Sequence, residues 1–424
     1  NKLENGYWTY PLDEVWTGIQ AAFAALAANV REKYGLPLTT VGAMGISGMM
    51  HGYLPFDKAG NQLAAFRTWR NTTTGPAAEE LNALLGEASG MFPMDSECCD
   101  FDLSRLQKVQ DLMESHGVTL TLRSILPQVL SAGAPAGSLT EEGAKLLDPT
   151  GAFQPGIPLC PPEGDAGTGM AATNSVAART GNVSAGTSVF AMVVLERPLK
   201  AVHPELDLVT TPTGRPVAMV HVNTCTSDLD AWVGLLGQVA QAAGKPFSKR
   251  ELYSFFYQQA LEGAPDAGGL VSFNCYSGEP VMGLEKGCPL LARRPDAALT
   301  LPNLARAILY AAMAALKIGM DILLKDEGVR LDRLLGHGGL FKEPVVGQKL
   351  LAGALDVPVT VRSTAGEGGP WGMALLAAYL DRVFSESQGT AIVPDAGDVN
   401  GFAVFLENYR AALASEDAAA QALC

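Results

Sequence analysis

Basic runs, metal-ligand spacings and targeting segments are what this chain of 424 residues lacks. Its 30 Lys and Arg stand against 44 Asp and Glu, and no basic run exceeds Arg293-Arg294, so the net charge of -14 disfavours nucleic acid and anionic membrane as partners. Anionic ligands then have to be held locally, by backbone amides and metal. The 7 cysteines include the neighbours Cys98-Cys99 but show neither C-x-x-C nor Cys/His ligand spacing. That pattern argues against a zinc site and for buried reduced thiols in the cytoplasm. No signal-peptide pattern is recognisable, and the most apolar long segment, Ile308 to Leu324, carries Lys317 and Asp321 and reads as a buried soluble helix. Tandem repeats and low-complexity tracts are also missing. So is a Walker A sequence, since Gly237 to Lys245 has the wrong spacing and ends in Pro246.

What the chain does have is apolar content, 48%, enough for large cores and two domains, and glycine in telling places. Pro162-Glu163-Gly164-Asp165-Ala166-Gly167-Thr168-Gly169 sets one carboxylate on a glycine-flanked loop. After one short helical segment, Ser184-Ala185-Gly186-Thr187-Ser188 supplies a turn rich in donors. A second cluster, Gly336-His337-Gly338-Gly339-Leu340-Phe341-Lys342, follows a strand-like Leu331 to Leu335, and a third, Gly366-Glu367-Gly368-Gly369, opens an apolar helix. Helix starts and bare amides favour anionic oxygens, so three glycine turns in such settings point to phosphate chemistry in a nucleotide cleft between two lobes.

Helical and strand signals alternate in the manner of an α/β protein. Pro11-Leu12-Asp13-Glu14 starts a helix through Leu26, and Thr40 to Ile46 reads as a buried strand emptying into Ser47-Gly48-Met49-Met50-His51-Gly52. Tyr53 to Phe56 and Asp57 to Gly60 read as strand and hairpin turn. Helical segments follow near 76–86 and 102–115, and a Pro/Gly-rich stretch from Ala132 to Pro162 marks the approach to a domain boundary. The second half is expected to hold strands at Ser188–Leu195, Val217–Val222 and Val357–Val361. Its helices are expected at 228–243, 248–262, 302–327, 370–385 and 398–415.

Six stretches occur in an order that resembles a family: Gly45-Ile-Ser-Gly-Met-Met-His51-Gly52, Thr68-Trp-Arg-Asn71, Glu163-Gly-Asp165-Ala-Gly-Thr-Gly169, Ala185-Gly-Thr-Ser188, Gly336-His-Gly-Gly339 and Gly366-Glu-Gly-Gly369. The order is similar to that of the FGGY carbohydrate kinases, and Met-His-Gly after Ser-Gly looks most like the xylulokinase branch. The resemblance implies an α/β fold of two RNase H-like (actin/hexokinase-like) domains with an interdomain cleft, closing over a sugar, ATP and Mg2+. On it, residues 1–178 would be the sugar-binding domain and 179–424 the nucleotide-binding domain, with a hinge near 160–185. The family's opening Asp-x-Gly-Thr hairpin is not found here, and Leu84-Leu85-Gly86 runs directly into Glu87-Ala88-Ser89-Gly90 where family members carry several helices. The sequence is therefore expected to lack an N-terminal element and an internal segment.

Asp165 is the candidate general base, taking the proton of a sugar hydroxyl as that oxygen attacks the γ-phosphorus, and a candidate metal ligand. A loop Asp after Gly also commonly bonds local amides. Met50, His51, Trp69, Arg70 and Asn71 are the other sugar-side candidates: a donor, an apolar face for C–H groups and two polar neighbours. The family often has Asp where Asn71 stands. Gly186, Thr187 and Ser188 would hold the β/γ-phosphates, while Gly338, Gly339, Lys342 and Gln348 would border adenine, ribose and α-phosphate. Glu367 at a helix start serves the helix and is left out. A small ketose such as xylulose is the expected acceptor, in a cytoplasmic enzyme that leaves room for a homodimer. A catalytically silent sugar or nucleotide sensor on the same scaffold is the competing class. Two lookalikes fail on context. Gly167-Thr-Gly169-Met-Ala-Ala172 fits G-x-G-x-x-A but follows Pro161-Pro162, not a strand, and Gly45-Ile-Ser47-Gly48-Met49 lacks the last Gly of a nucleophile elbow.

Overall fold

The computed structural model describes residues 2–68, 71, 73–86, 91–380 and 389–423. The chain divides into two compact units: residues 1–168 with 212–214 and 369–385, and residues 169–211 with 215–368 and 386–424.

The first unit is held by short pairings and small clusters. Pro11 leads into helix Leu12–Tyr34, which has Asp13 and Glu14 in its first turn and ends on Gly35 at φ 71, whose N–H donates to the Arg31 carbonyl. Acid at the start and left-handed glycine past the end satisfy a helix's orphan groups, which is why the sequence stops there. None of its residues is fully buried. Phe23 sets its ring edge-on to Phe153 at 4.8 Å, beside Leu139, Ala144 and Ile157. Asp102 caps helix Leu103–Ser115 by accepting from the amides of Ser104 and Arg105. Phe101, Leu106, Val109 and Leu122 make a second cluster. The expected buried strand at Thr40–Ile46 pairs only at Met44, opposite Leu159, and Val41 and Ile46 are exposed. Gly42 and Gly45 explain this: glycine weakens a strand, and Met373 and Cys160 crowd the bare backbone at Gly45.

The second unit carries a seven-stranded sheet. In spatial order its strands are Gly389–Ile392, Val359–Arg362, Arg333–His337, Thr180–Ala185, Val189–Val194, Pro216–Val222 and Asp207–Thr210. Thr180–Ala185, Arg333–His337 and Val359–Arg362 run parallel, with Ser184 opposite His337 and Gly336 opposite Val361. The remaining neighbours pair antiparallel. Central strands read as unbroken apolar runs, as Val189–Val194 does, because both faces are covered. Helix Leu301–Asp321 is buried on nearly every side, and the Tyr310 ring packs on Phe402 and Phe405. With its π-helical continuation to Asp326 it is long and apolar enough to cross a membrane, yet 72% of its most apolar window is buried inside the unit. Its charges are paired there, Arg306 with Asp398 at 3.2 Å and Lys317 with Asp321 at 2.7 Å. Six described cysteines are free thiols, and only Cys160, Cys225 and Cys275 are buried, so the expectation of buried thiols fails at Cys98, Cys99 and Cys288.

Candidate functional site

In the first unit, Ser47 and Gly48 pair in parallel with Glu163 and Gly164, extending the single bridge at Met44 and Leu159. Two parallel segments leave at the same end, so Met49-Met50-His51 and Asp165 issue from one edge, the carboxyl end, where α/β sheets put their sites. Asp165 is exposed and opens helix Asp165–Thr173, where a negative charge is favourable. One of its carboxylate oxygens accepts from the Ala166 amide at 2.9 Å. The Thr168 hydroxyl donates to the Asp165 carbonyl at 2.9 Å and lies 3.3 Å from the Ser47 hydroxyl, tying the helix start to the facing strand. Met50 covers Gly164, where a Cβ would come within 3.0 Å of its Cγ. His51 is exposed and holds φ 59, a left-handed conformation in which His is among the better-tolerated side chains.

Two features here escaped sequence reading. Burial pushes the Glu163 carboxyl up, and Gly167 is glycine because a Cβ would meet that carboxyl at 2.5 Å. Asn71 is also more committed than expected. Its Oδ1 accepts from the Trp8 amide at 2.9 Å and its Nδ2 donates to the carbonyls of Trp8 and Thr68 at 2.8 and 2.9 Å. Both amide hydrogens are thus used on backbone, and the side chain clamps Trp8 to Thr68. Trp69 and Arg70 lie outside the described residues.

In the second unit the three parallel strands end at one sheet edge, and each passes into a glycine turn: 186–188, 338–339 and the segment ahead of Gly368. Gly338 sits at φ 101 and ψ -170, and a Cβ there would come within 2.5 Å of the Ala185 carbonyl oxygen, so two of the turns touch only because this residue is glycine. Its amide donates to the Ala365 carbonyl, drawing in the third turn. Gly186 and Thr187 carbonyls face inward: Cys225 N–H donates to Thr187 at 2.8 Å, and the Thr226 hydroxyl donates to Gly186 at 2.7 Å. Helix Ser227–Ala242 starts beside them, with the positive end of its dipole toward the turn. Lys342 is exposed after the short helix Gly339–Phe341. Gln348 is buried and donates to the carbonyls of Val359 and Thr390 at 2.7 and 2.6 Å, a strut docking its helix on two strands. His337 is the unforeseen residue. Burial pushes its imidazole down to about 4, so it is neutral at physiological pH, 3.3 Å from Asn182 Nδ2 and packed beneath Gly169 and Gly368.

Residues 181–380 match the model of the FGGY family of carbohydrate kinases, C-terminal domain. That stretch of the chain is therefore similar to the FGGY C-terminal domain. No curated protein sequence matches the chain. Among solved structures, xylulose kinase from Rhodospirillum rubrum superposes with TM-score 0.69 at 17% identity, covering 98% of this chain and 92% of that one. Gluconate kinase from Lactobacillus acidophilus gives 0.71 at 12%, covering 100% and 93%, and Plasmodium falciparum glycerol kinase with ADP gives 0.63 at 14%, covering 100% and 92%. The FGGY resemblance is borne out over residues 181–380, which hold the last three of the six stretches, and so is the α/β actin/hexokinase-like fold. The chain is similar to kinases named for different substrates, and that likeness speaks for the fold alone.

Proposed function

We propose that this FGGY protein transfers the γ-phosphoryl group of ATP to a primary hydroxyl of a small ketose, most specifically xylulose, in the cytoplasm. The observation that carries the reading is the edge shared by Asp165 and His51: an exposed carboxylate and an exposed imidazole leave the same end of one parallel strand pair. Asp165 accepts the hydroxyl proton as the sugar oxygen attacks phosphorus, and the phosphorus–oxygen bond to ADP breaks in the same displacement. His51 and Met50 line the sugar, together with Trp69 and Arg70. Thr187, Ser188 and Gly339 offer amides and hydroxyls to phosphate oxygens, Gly186 and Gly338 let those oxygens approach the backbone closely while their own amides stay on the Ser188 and Ala365 carbonyls, and Lys342 offers a cation.

Among the described residues no group of three His, Cys, Asp or Glu stands ready to hold a metal. Magnesium is ordinarily held by one or two carboxylates plus substrate phosphates, so a single exposed Asp165 carboxylate fits it. When bound with ATP it neutralises charge on the β- and γ-phosphates.

ADP release from purified protein across pentuloses, hexuloses and polyols is the test. Turnover dependent on a ketopentose supports the reading, and a preference for gluconate or glycerol moves the substrate within the class. Absence of any sugar-dependent ADP release overturns the kinase in favour of a silent sensor.

A further inference from the structure

The 186–188 turn is not held by its own strands alone. Its carbonyls are gripped by residues 225–227, through Cys225 N–H, the Thr226 hydroxyl and N–H, and the Ser227 hydroxyl at 3.3 Å. That segment is in turn fastened from its far side. Asn274, buried to 3% exposure, donates from Nδ2 to the Cys225 carbonyl at 2.9 Å. Glu279, buried to 1%, accepts the Asn223 amide at 2.8 Å, while Asn223 Nδ2 donates to the Gly278 carbonyl at 2.8 Å. The other Glu279 oxygen is buried with no well-aligned hydrogen bond, the Val281 amide being the second backbone donor that lowers the carboxyl's pKa. A buried carboxylate left half-satisfied is costly in a fold with ample apolar core, and a core-filling role needs no such group.

We infer that Asn274 and Glu279 are positioning residues for the phosphate turn, acting on Gly186 and Thr187 through the 223–227 segment. The inference rests on the kinase reading for the identity of the ligand but on the hydrogen-bond chain for its geometry. Neither side chain is within the turn itself, so loss of either is felt as a displaced or loosened Gly186-Thr187 and hence as weakened nucleotide binding, with the sugar side untouched. Burial also pushes the Glu279 carboxyl up to about 7. Cys275, following strand Leu270–Phe273, and Tyr409 of helix Ala396–Leu423 face it, and neither supplies a positive charge. The ionised form accepts the Asn223 amide more strongly than the neutral form, so the brace tightens as pH rises through that value.

The experiment is calorimetric titration with a non-hydrolysable ATP analogue and Mg2+ on the native protein, Asn274→Ala and Glu279→Gln, alongside sugar KM and hydrogen exchange. Asn274→Ala is expected to weaken analogue binding about five- to tenfold, the scale of one hydrogen bond, with sugar KM unchanged. Exchange should quicken in peptides covering 186–188 and 223–227 and stay level in the sheet strands Val189–Val194 and Pro216–Val222. Glu279→Gln keeps size and acceptor, and is expected to erase a roughly fivefold gain in native affinity between pH 6 and 8, measured as the difference between the two proteins so that the nucleotide's own titration cancels. Should Asn274→Ala fail to fold, Glu279→Gln decides. Native affinity and exchange in both variants overturn the inference while leaving the kinase reading intact. A native protein that binds no analogue overturns both.

Discussion

The two units differ in what holds their loops. In the second, the turns at 186–188 and 338–339 crown parallel strands over a core that includes Tyr310, Phe402 and Phe405, and buried polar groups tie the surrounding segments, Asn274 to Cys225 and Gln348 to two strands. In the first, Asp165 and His51 ride on a two-residue parallel pair, and the clusters around Phe101, Leu139 and Cys160 hold three or four buried residues each. A phosphate-holding turn gains from rigidity, since preorganised amides lose nothing on binding. A base and a sugar contact on short, exposed segments are cheap to alter without disturbing the fold. Substitutions should therefore separate chemistry from stability in the first unit and merge them in the second.

The sharpest break is Asp165→Asn. The side chain is exposed and its near-isosteric amide loses only the basic carboxylate, so kcat is expected to fall about 10²- to 10⁴-fold while stability changes by less than about 0.5 kcal/mol. Stopped ADP production with an unshifted urea midpoint is the expected pair of readings. A variant with near-native kcat removes Asp165 from the chemistry. Gly338→Ala is the matching substitution in the second unit, and there the effect should be on the fold. A Cβ would both meet the Ala185 carbonyl oxygen at 2.5 Å and force a φ of 101 on an alanine, costing roughly 2–5 kcal/mol in all. Urea unfolding reads it, and a midpoint close to native would mean that the two turns do not need their close approach.

Burial at His337 gives the third effect, and its sign is fixed by the direction of the shift. The folded state holds the imidazole neutral down to about 4, whereas the unfolded chain takes up a proton below the ordinary value of about 6.5. Stability from this group is present above 6.5 and lost as pH falls toward 4, up to about 3 kcal/mol in total. His337→Asn cannot titrate, so its urea stability should lose less over that window than the native protein does, whatever its absolute value. Equal slopes in the two proteins would show that the imidazole is hydrated and titrates normally.

Why the second unit was readable from sequence and the first less so follows from the same contrast. Long apolar strands and helices announce themselves by period, so Val189–Val194, Ser227–Ala242 and Leu301–Asp321 with its π-helical continuation to Asp326 were expected within a residue or two. The glycine turns were visible because only glycine fits where backbones touch. Thr40–Ile46 misled, since an apolar run broken by Gly42 and Gly45 carries a strand's composition without its ladder. The bonds of Asn71 and Gln348 were not legible either, since nothing in the linear order shows that their amide hydrogens are spent on Trp8, Val359 and Thr390. His337 stood inside a recognised stretch, yet its burial depends on Gly169 and Asn182, distant in sequence.

The smallest effect belongs to His51, and it needs two substitutions to interpret. His51→Ala removes the imidazole but leaves a Cβ at φ 59, so any change in kinetics mixes a lost sugar contact with a backbone reluctant to stay left-handed. His51→Gly removes the same imidazole and accepts that backbone freely. A hydrogen bond made equally in the bound and transition states contributes to KM and not to kcat, so its loss should raise sugar KM about fivefold with kcat and ATP affinity unchanged. If both variants show that rise, the imidazole itself meets the sugar. If Gly restores native KM and Ala does not, the backbone conformation is what matters and His51 serves to hold the loop beside Met50. Native KM in both variants would take His51 out of the sugar site altogether, leaving Asp165 as the strand pair's contribution to catalysis.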